Sequence, residues 1–235
     1  MRKREFEGVL KNIRPKLLIN EGENDEIDNF FLVLAIIYND LKSLFFFRVL
    51  VNDSYRKPET NEISAHAGEY GGLDAYTKKL LISTVVEFLS FIEKNHKVLD
   101  SIKFQLLLKK LNPEIKNQWL KLVVPDKEST TILGKFRQIR SNISFHYDHS
   151  NSQLRKGFVE IFYSDKRKLP QLKNAHFSLG NDMVTTRFYY ADAAVQGYIN
   201  SLLGNENDSD VIIFLIDMNH TLKALLEIYL SNKTT

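Results

Sequence analysis

The chain has 235 residues, 43% of them hydrophobic and 26% charged, with a formal net charge of +3 and no cysteine. That length suits one large domain or two small ones and is enough to bury most of the apolar surface, and the composition excludes intrinsic disorder. The absence of cysteine excludes a disulfide scaffold, a Cys-ligated zinc site and a thiol nucleophile, and it fits a reducing compartment.

The opening residues, MRKREFEG, carry charge without a following apolar segment, so no secretory signal is expected and the location is read as cytoplasmic. Residues 5–19 read as a short helix interrupted by Pro15. Residues 24–53 form a stronger pattern. Asn24 or Asp25 can cap, acids fill the first turn, and Phe30, Phe31, Leu34, Ile37, Leu41 and Leu44 give a broad apolar face. The longest apolar run, Phe30 to Tyr38, falls short of the about 20 residues a bilayer needs, and no membrane partner is expected.

Residues 54–72, with Pro58 and the glycines of AGEYGG, read as a loop, followed by a long helix from Asp74 to about Lys97. The loop lacks the Gly-Lys-Ser/Thr ending of a phosphate cradle. Residues 100–111 and 114–124 read as two further helices, the second carrying the only tryptophan, Trp119, as a core residue. Lys109, Lys110, Lys116 and Lys121 make this region basic, a solvated face or a track for RNA. A helix from Ser129 or Thr130 to Tyr147 follows. Residues 157–163 extend it or form a strand, and 176–190 suggest a small β-hairpin turning at Gly180-Asn181-Asp182. Helices at 192–203 and 210–230 close the chain. No internal repeat or linker appears, so the expectation is one mainly α domain over residues 1–235, a helical bundle with additional C-terminal helices and at most one hairpin.

The stretch KFRQIRSNISFHYDH, residues 135–149, concentrates the chemistry. At about 100° per residue, Ile132, Phe136, Ile139 and Ile143 form one apolar stripe, with Arg140 on its shoulder and His146 close to its middle. Asn142 lies one turn before His146, within reach of a hydrogen bond. Arg140 and His146 are separated by almost two turns, so one helix does not bring them together. Two copies crossing about a two-fold axis would place both pairs in one cleft. Histidine moves protons near neutral pH, and arginine matches a phosphate with its planar fork. Without a metal ligand set, that pair suits attack of a ribose 2′-hydroxyl on the adjacent phosphate, which selects RNA over DNA. Alternatively Arg140 pairs with an acid on a neighbouring helix, and His146 is a helix-end or Asn142-bonded core histidine. His146 and His149 stand at i,i+3 with no third ligand in view, so neither metal nor cofactor is expected.

IRSNISFHYD resembles the Arg-(four to six residues)-His signature of the HEPN superfamily, in particular its abortive-infection-like branch. The resemblance spans about fifteen residues. It implies a helical bundle that homodimerises through the signature helix and acts as a metal-independent ribonuclease of a toxin or antiphage system, with an antitoxin protein as a possible partner. Members that have lost catalysis act as dimeric interaction modules. On this reading Arg140 and His146 are the catalytic pair, and Ser141, Asn142 and Tyr147 support them. Ser141 stands where the family often carries Asn, Asp or His.

Overall fold

The computed structural model describes residues 9–59, 62–123, 131–144, 151–163, 174–204 and 208–234. The fold is mainly helical: α1 Pro15–Leu18, α2 Glu26–Ser54, α3 Ala65–Lys94, α4 His96–Leu99, α5 Ile102–Leu108, α6 Pro113–Val123, α7 Ile132–Ile139, a π-helical segment Arg140–Ser144, α8 Asn151–Phe162, α9 Tyr189–Leu203 and α10 Asp208–Thr234.

The starts of the early helices follow from local chemistry. The Asp25 side chain accepts from the Ile27 amide and opens α2, and Glu26 and Asp28 put negative charge on its positive end. Ser64, Ser101 and Thr131 do the same for α3, α5 and α7, accepting from the amides of Ala67, Phe104 and Gly134. The α7 cap is therefore Thr131; the expected caps Ser129 and Thr130 lie outside the described residues.

α3 is the hub. It packs against α2, α6, α7, the π-helical segment and α9, while α10 lies along α2 and α6. The core joining them is aromatic. Phe31 stacks on Tyr229 of α10 at 4.2 Å and 6°, Phe30 on Phe91 of α3 at 4.9 Å, and Trp119 of α6 sits against Phe88 and Phe104. Trp119 is a core residue, 1% exposed. At the edge of this core Asp28 is buried yet satisfied, accepting from the Tyr229 hydroxyl at 3.0 Å and pairing with Lys233 at 2.6 Å.

Three expectations about elements are corrected, and the choice between helix and strand at 157–163 is decided for helix. Among the described residues the first helix spans a single turn, Pro15–Leu18, because Pro15 serves at its first position and residues 9–14 are not helical; residues 5–8 of the expected helix lie outside the described residues. Residues 65–72 are helix and not loop. The glycines of AGEYGG sit inside α3, where Gly68 and Gly72 let the Tyr189 ring and the Arg187 guanidinium lie on the helix backbone. Residues 157–162 belong to α8. The hairpin reduces to one antiparallel bridge, Ser178 with Arg187, and no strand forms among the described residues. The intervening turn is held instead by Asp182, which accepts from the amide and hydroxyl of Thr185 at 2.8 and 2.7 Å.

By length and composition α2 is the one described helix that would suffice to cross a membrane. In the folded chain Phe30, Phe31, Leu34 and Leu41 of α2 are buried, while Leu32, Val33 and Ile36 are exposed on its opposite side.

Candidate functional site

The segment that carries the signature is built in two parts. Over α7, Leu133, Phe136 and Ile139 are buried, and Phe136 meets Phe214 of α10 edge-on at 5.7 Å and 77°. Ile143, one turn on, is buried as well. The apolar stripe is thus spent inside the chain, against α3 and α10. Lys135, Arg137, Gln138 and Arg140 remain half-exposed on the outer side.

Two ion pairs tie that side to α3. Arg137 reaches Glu93 at 2.6 Å and Arg140 reaches Glu87 at 2.6 Å, so the arginines run antiparallel to the acids. Both pairs stand in solvent: the Arg140 side chain is 34% exposed and Glu87 61%. Exposed pairs of this kind contribute about 0.2–1 kcal/mol, and a phosphate can compete for the guanidinium. The open alternative, that Arg140 pairs with an acid on a neighbouring helix, is the geometry observed.

At Arg140 the backbone changes from α to π hydrogen bonding, which widens the turn through Ser144. The Ser141 hydroxyl donates to the Gln138 carbonyl at 3.2 Å, a local bond that keeps it on its own helix. Asn142 turns inward and its Nδ2 donates to the Tyr198 hydroxyl of α9 at 2.8 Å. Burial holds that hydroxyl above the usual tyrosine range, although the Asn142 bond pulls the other way. His146 and Tyr147 lie outside the described residues, as do Asp148 and His149. The structure therefore brings Arg140, Glu87, Asn142 and Tyr198 to one end of α7. Sequence reasoning missed Glu87 and Tyr198, because nothing local marks a partner 53 or 56 residues away.

α8 and α9 brace the far side of this region. Their backbones touch through two glycines: a methyl built on Gly157 would stand 2.0 Å from the Ala194 carbonyl oxygen, and one on Gly197 would stand 2.2 Å from the Gly157 carbonyl oxygen. This crossing fixes Tyr198, the residue after Gly197, opposite Asn142.

A second polar cluster lies at the other end of α3. Arg187 donates to Glu69 at 3.0 Å and to Asp192 at 2.8 Å. Burial opposes its charge, but the two carboxylates outweigh that and hold its proton more tightly than usual. Beside it burial lowers the Lys79 ammonium, with Asp192 opposing the shift. Among the described residues no group of three or more His, Asp or Glu side chains has a metal-holding arrangement. No protein-family model, curated protein or solved structure matches the chain.

Proposed function

We propose that the chain is a HEPN-like endoribonuclease of a toxin or antiphage defence system, cleaving RNA without a metal from a site shared across a homodimer. The 2′-oxygen of a ribose attacks the adjacent phosphorus, the 5′-oxygen leaves, and the products are a 2′,3′-cyclic phosphate and a 5′-hydroxyl. His146 takes or returns the proton, and Arg140 neutralises the phosphoryl oxygens.

The observation that carries this reading is the position of Arg140. It keeps a solvent-reached guanidinium at the point where α7 passes into the π-helical segment, paired with the exposed Glu87 carboxylate of α3. A phosphate that displaces Glu87 meets a fork already oriented, and the half-exposed side of α7 offers the surface on which a second copy would meet it.

A second reading, a non-catalytic dimeric interaction module, is favoured by the same ion pair: with Glu87 in place, the guanidinium has its anion. Cleavage of a mixed RNA pool in EDTA separates the two. The ribonuclease reading expects cleavage by wild type that is lost in Arg140→Ala and in His146→Ala while both variants keep the wild-type oligomeric state. Cleavage that survives both changes overturns it, and an inert wild-type protein favours the module.

A further inference from the structure

The loop between Ser178 and Arg187 is held by more bonds than a plain connection needs. Its single bridge is closed by two backbone bonds, from the Ser178 amide to the Arg187 carbonyl at 2.8 Å and from the Arg187 amide to the Ser178 carbonyl at 3.0 Å. Beyond the bridge the turn is set by side chains. The Ser178 hydroxyl donates to the Thr185 carbonyl at 2.8 Å, and the Gly180 amide donates to the Thr186 hydroxyl at 3.1 Å. Behind the bridge the stem is fastened to α3, where the Arg187 guanidinium lies on Gly72 and bonds Glu69, and the Tyr189 ring lies on Gly68. The loop is therefore a finger of fixed shape on a fixed base, and docking it on a surface loses little further entropy.

What the finger presents is apolar. Met183 and Val184, farthest from the bridge, are 90% and 84% exposed, and Leu179 is 69% exposed. The one charged residue among 177–186 is Asp182. Its carboxylate is occupied by the hydroxyl and amide of Thr185, which hold it below the usual aspartate range. Three aliphatic side chains in water on one ordered loop contribute nothing to the core, and such a cluster marks a contact surface. Phe177 and Phe188 flank the bridge on the stem side and Tyr190 follows, all three exposed, with Phe188 meeting Tyr190 edge-on at 6.0 Å and 69°. The sequence that leads into the finger, KRKLPQLK at 166–173, carries four positive charges and no acid.

Along the chain the order is aliphatic tip, aromatic collar, basic approach. A bilayer surface has the matching order, from acyl chains through the interface that aromatic rings prefer to anionic headgroups. A protein groove is matched less well: among the described residues the finger offers no strand edge beyond its single bridge and no helical apolar stripe. Four to five residues separate the bridge from the tip, a reach of at most about 15 Å. That covers the about 5–10 Å at which peripheral apolar groups rest in the headgroup–acyl boundary. We propose that the Ser178–Arg187 finger docks the protein on an anionic lipid surface, with Leu179, Met183 and Val184 entering the acyl boundary. Such a contact needs no spanning segment. It also stands apart from the ribonuclease reading, since Gly72 under the finger lies 15 residues before Glu87 on α3, or about 22 Å of helix.

Flotation of the full chain with vesicles of phosphatidylcholine, with and without phosphatidylserine, tests this. The expected result is flotation with the phosphatidylserine vesicles, weakened about tenfold or more by the double substitution Met183→Ser with Val184→Ser. Both side chains stand in water, so the double variant is expected to melt with wild type. A second arm reads the insertion itself. The chain has no cysteine, so Met183→Cys takes a single polarity-sensitive dye, and Ile102→Cys, at an exposed position of α5, takes the control dye. The dye at 183 is expected to shift to the blue on phosphatidylserine vesicles while the dye at 102 does not. Absence of flotation overturns the proposal and leaves the finger to a protein partner. Flotation indifferent to the double substitution, or a dye at 183 that stays in water on vesicle-bound protein, overturns it by assigning the contact to another surface.

Discussion

Gly197→Ala is the sharpest test of how α8 and α9 are held together. The added methyl would stand 2.2 Å from the Gly157 carbonyl oxygen and 2.8 Å from Ile161 Cγ1. The first obstacle is backbone, so relief requires the two helices to part by about 1 Å, enough to forfeit a quarter to a half of each van der Waals contact along the seam. Overpacking of this kind costs about 1–3 kcal/mol, and a backbone obstacle belongs at the upper end. Alanine returns about 1 kcal/mol of helix propensity, leaving a net loss of about 2 kcal/mol. For a chain of this size that lowers the melting temperature by about 4–8 °C. The control is Gly71→Ala, also a helical glycine but with nothing within 4 Å of the new methyl. It gains the propensity alone and melts about 2–4 °C higher. Far-UV circular dichroism melts of the three proteins decide it. If Gly197→Ala melts at or above wild type, the close crossing of α8 and α9 is refuted.

Three further outcomes are expected. Glu87→Gln removes the competing carboxylate, so RNA affinity measured by filter binding rises severalfold relative to wild type, whereas Arg140→Ala lowers it; equal affinities for all three proteins would contradict a phosphate role for Arg140. The Tyr198 and Tyr229 hydroxyls are both raised chiefly by burial. A group whose folded pKa is raised contributes stability that is whole below its unfolded value, near 10, and lost as pH climbs above it. The urea midpoint should therefore fall above pH 10, and less steeply in Tyr229→Phe; an identical fall in that variant would refute the assignment. Trp119, the only tryptophan and 1% exposed, should emit in the blue, resist iodide quenching and shift red on unfolding in step with the loss of helix. A red, quenchable native emission would mean that α6 does not dock as described.

Much of the bundle was legible in the sequence because its signals are local. Asp25 before an acidic first turn announces α2 within a few residues. The apolar stripe Phe136, Ile139 and Ile143 was likewise readable, and all three residues are buried. What failed was information held far away. The glycines of AGEYGG read as loop punctuation, yet they are helical because Tyr189 and Arg187, more than 110 residues later, pack where side chains would be. The expected hairpin had the right turn residues, but side-chain bonds from Asp182 and Ser178 to Thr185 close a wide loop in place of a ladder. At the candidate site, the chemistry of Arg140 was legible and its partner was not. Whether Arg140 faced a carboxylate, and which, depended on the antiparallel run of α7 along α3.

The π-helical segment gives the chain an unusual response to changes in length. A π turn spends one residue more than an α turn on the same advance. Loss of Ser141, exposed and bonded only to its own helix, would let the backbone relax into ordinary helix. The chain would leave the segment in the direction it has now, because the α turn makes the same advance with one residue fewer, but Asn142 would move back by about 100° around the axis, away from Tyr198, while Arg140 stayed on Glu87. A one-residue deletion here thus spares the bundle and breaks the Asn142 contact, so variation in chain length at this point would separate proteins that keep the arrangement from proteins that keep only the bundle.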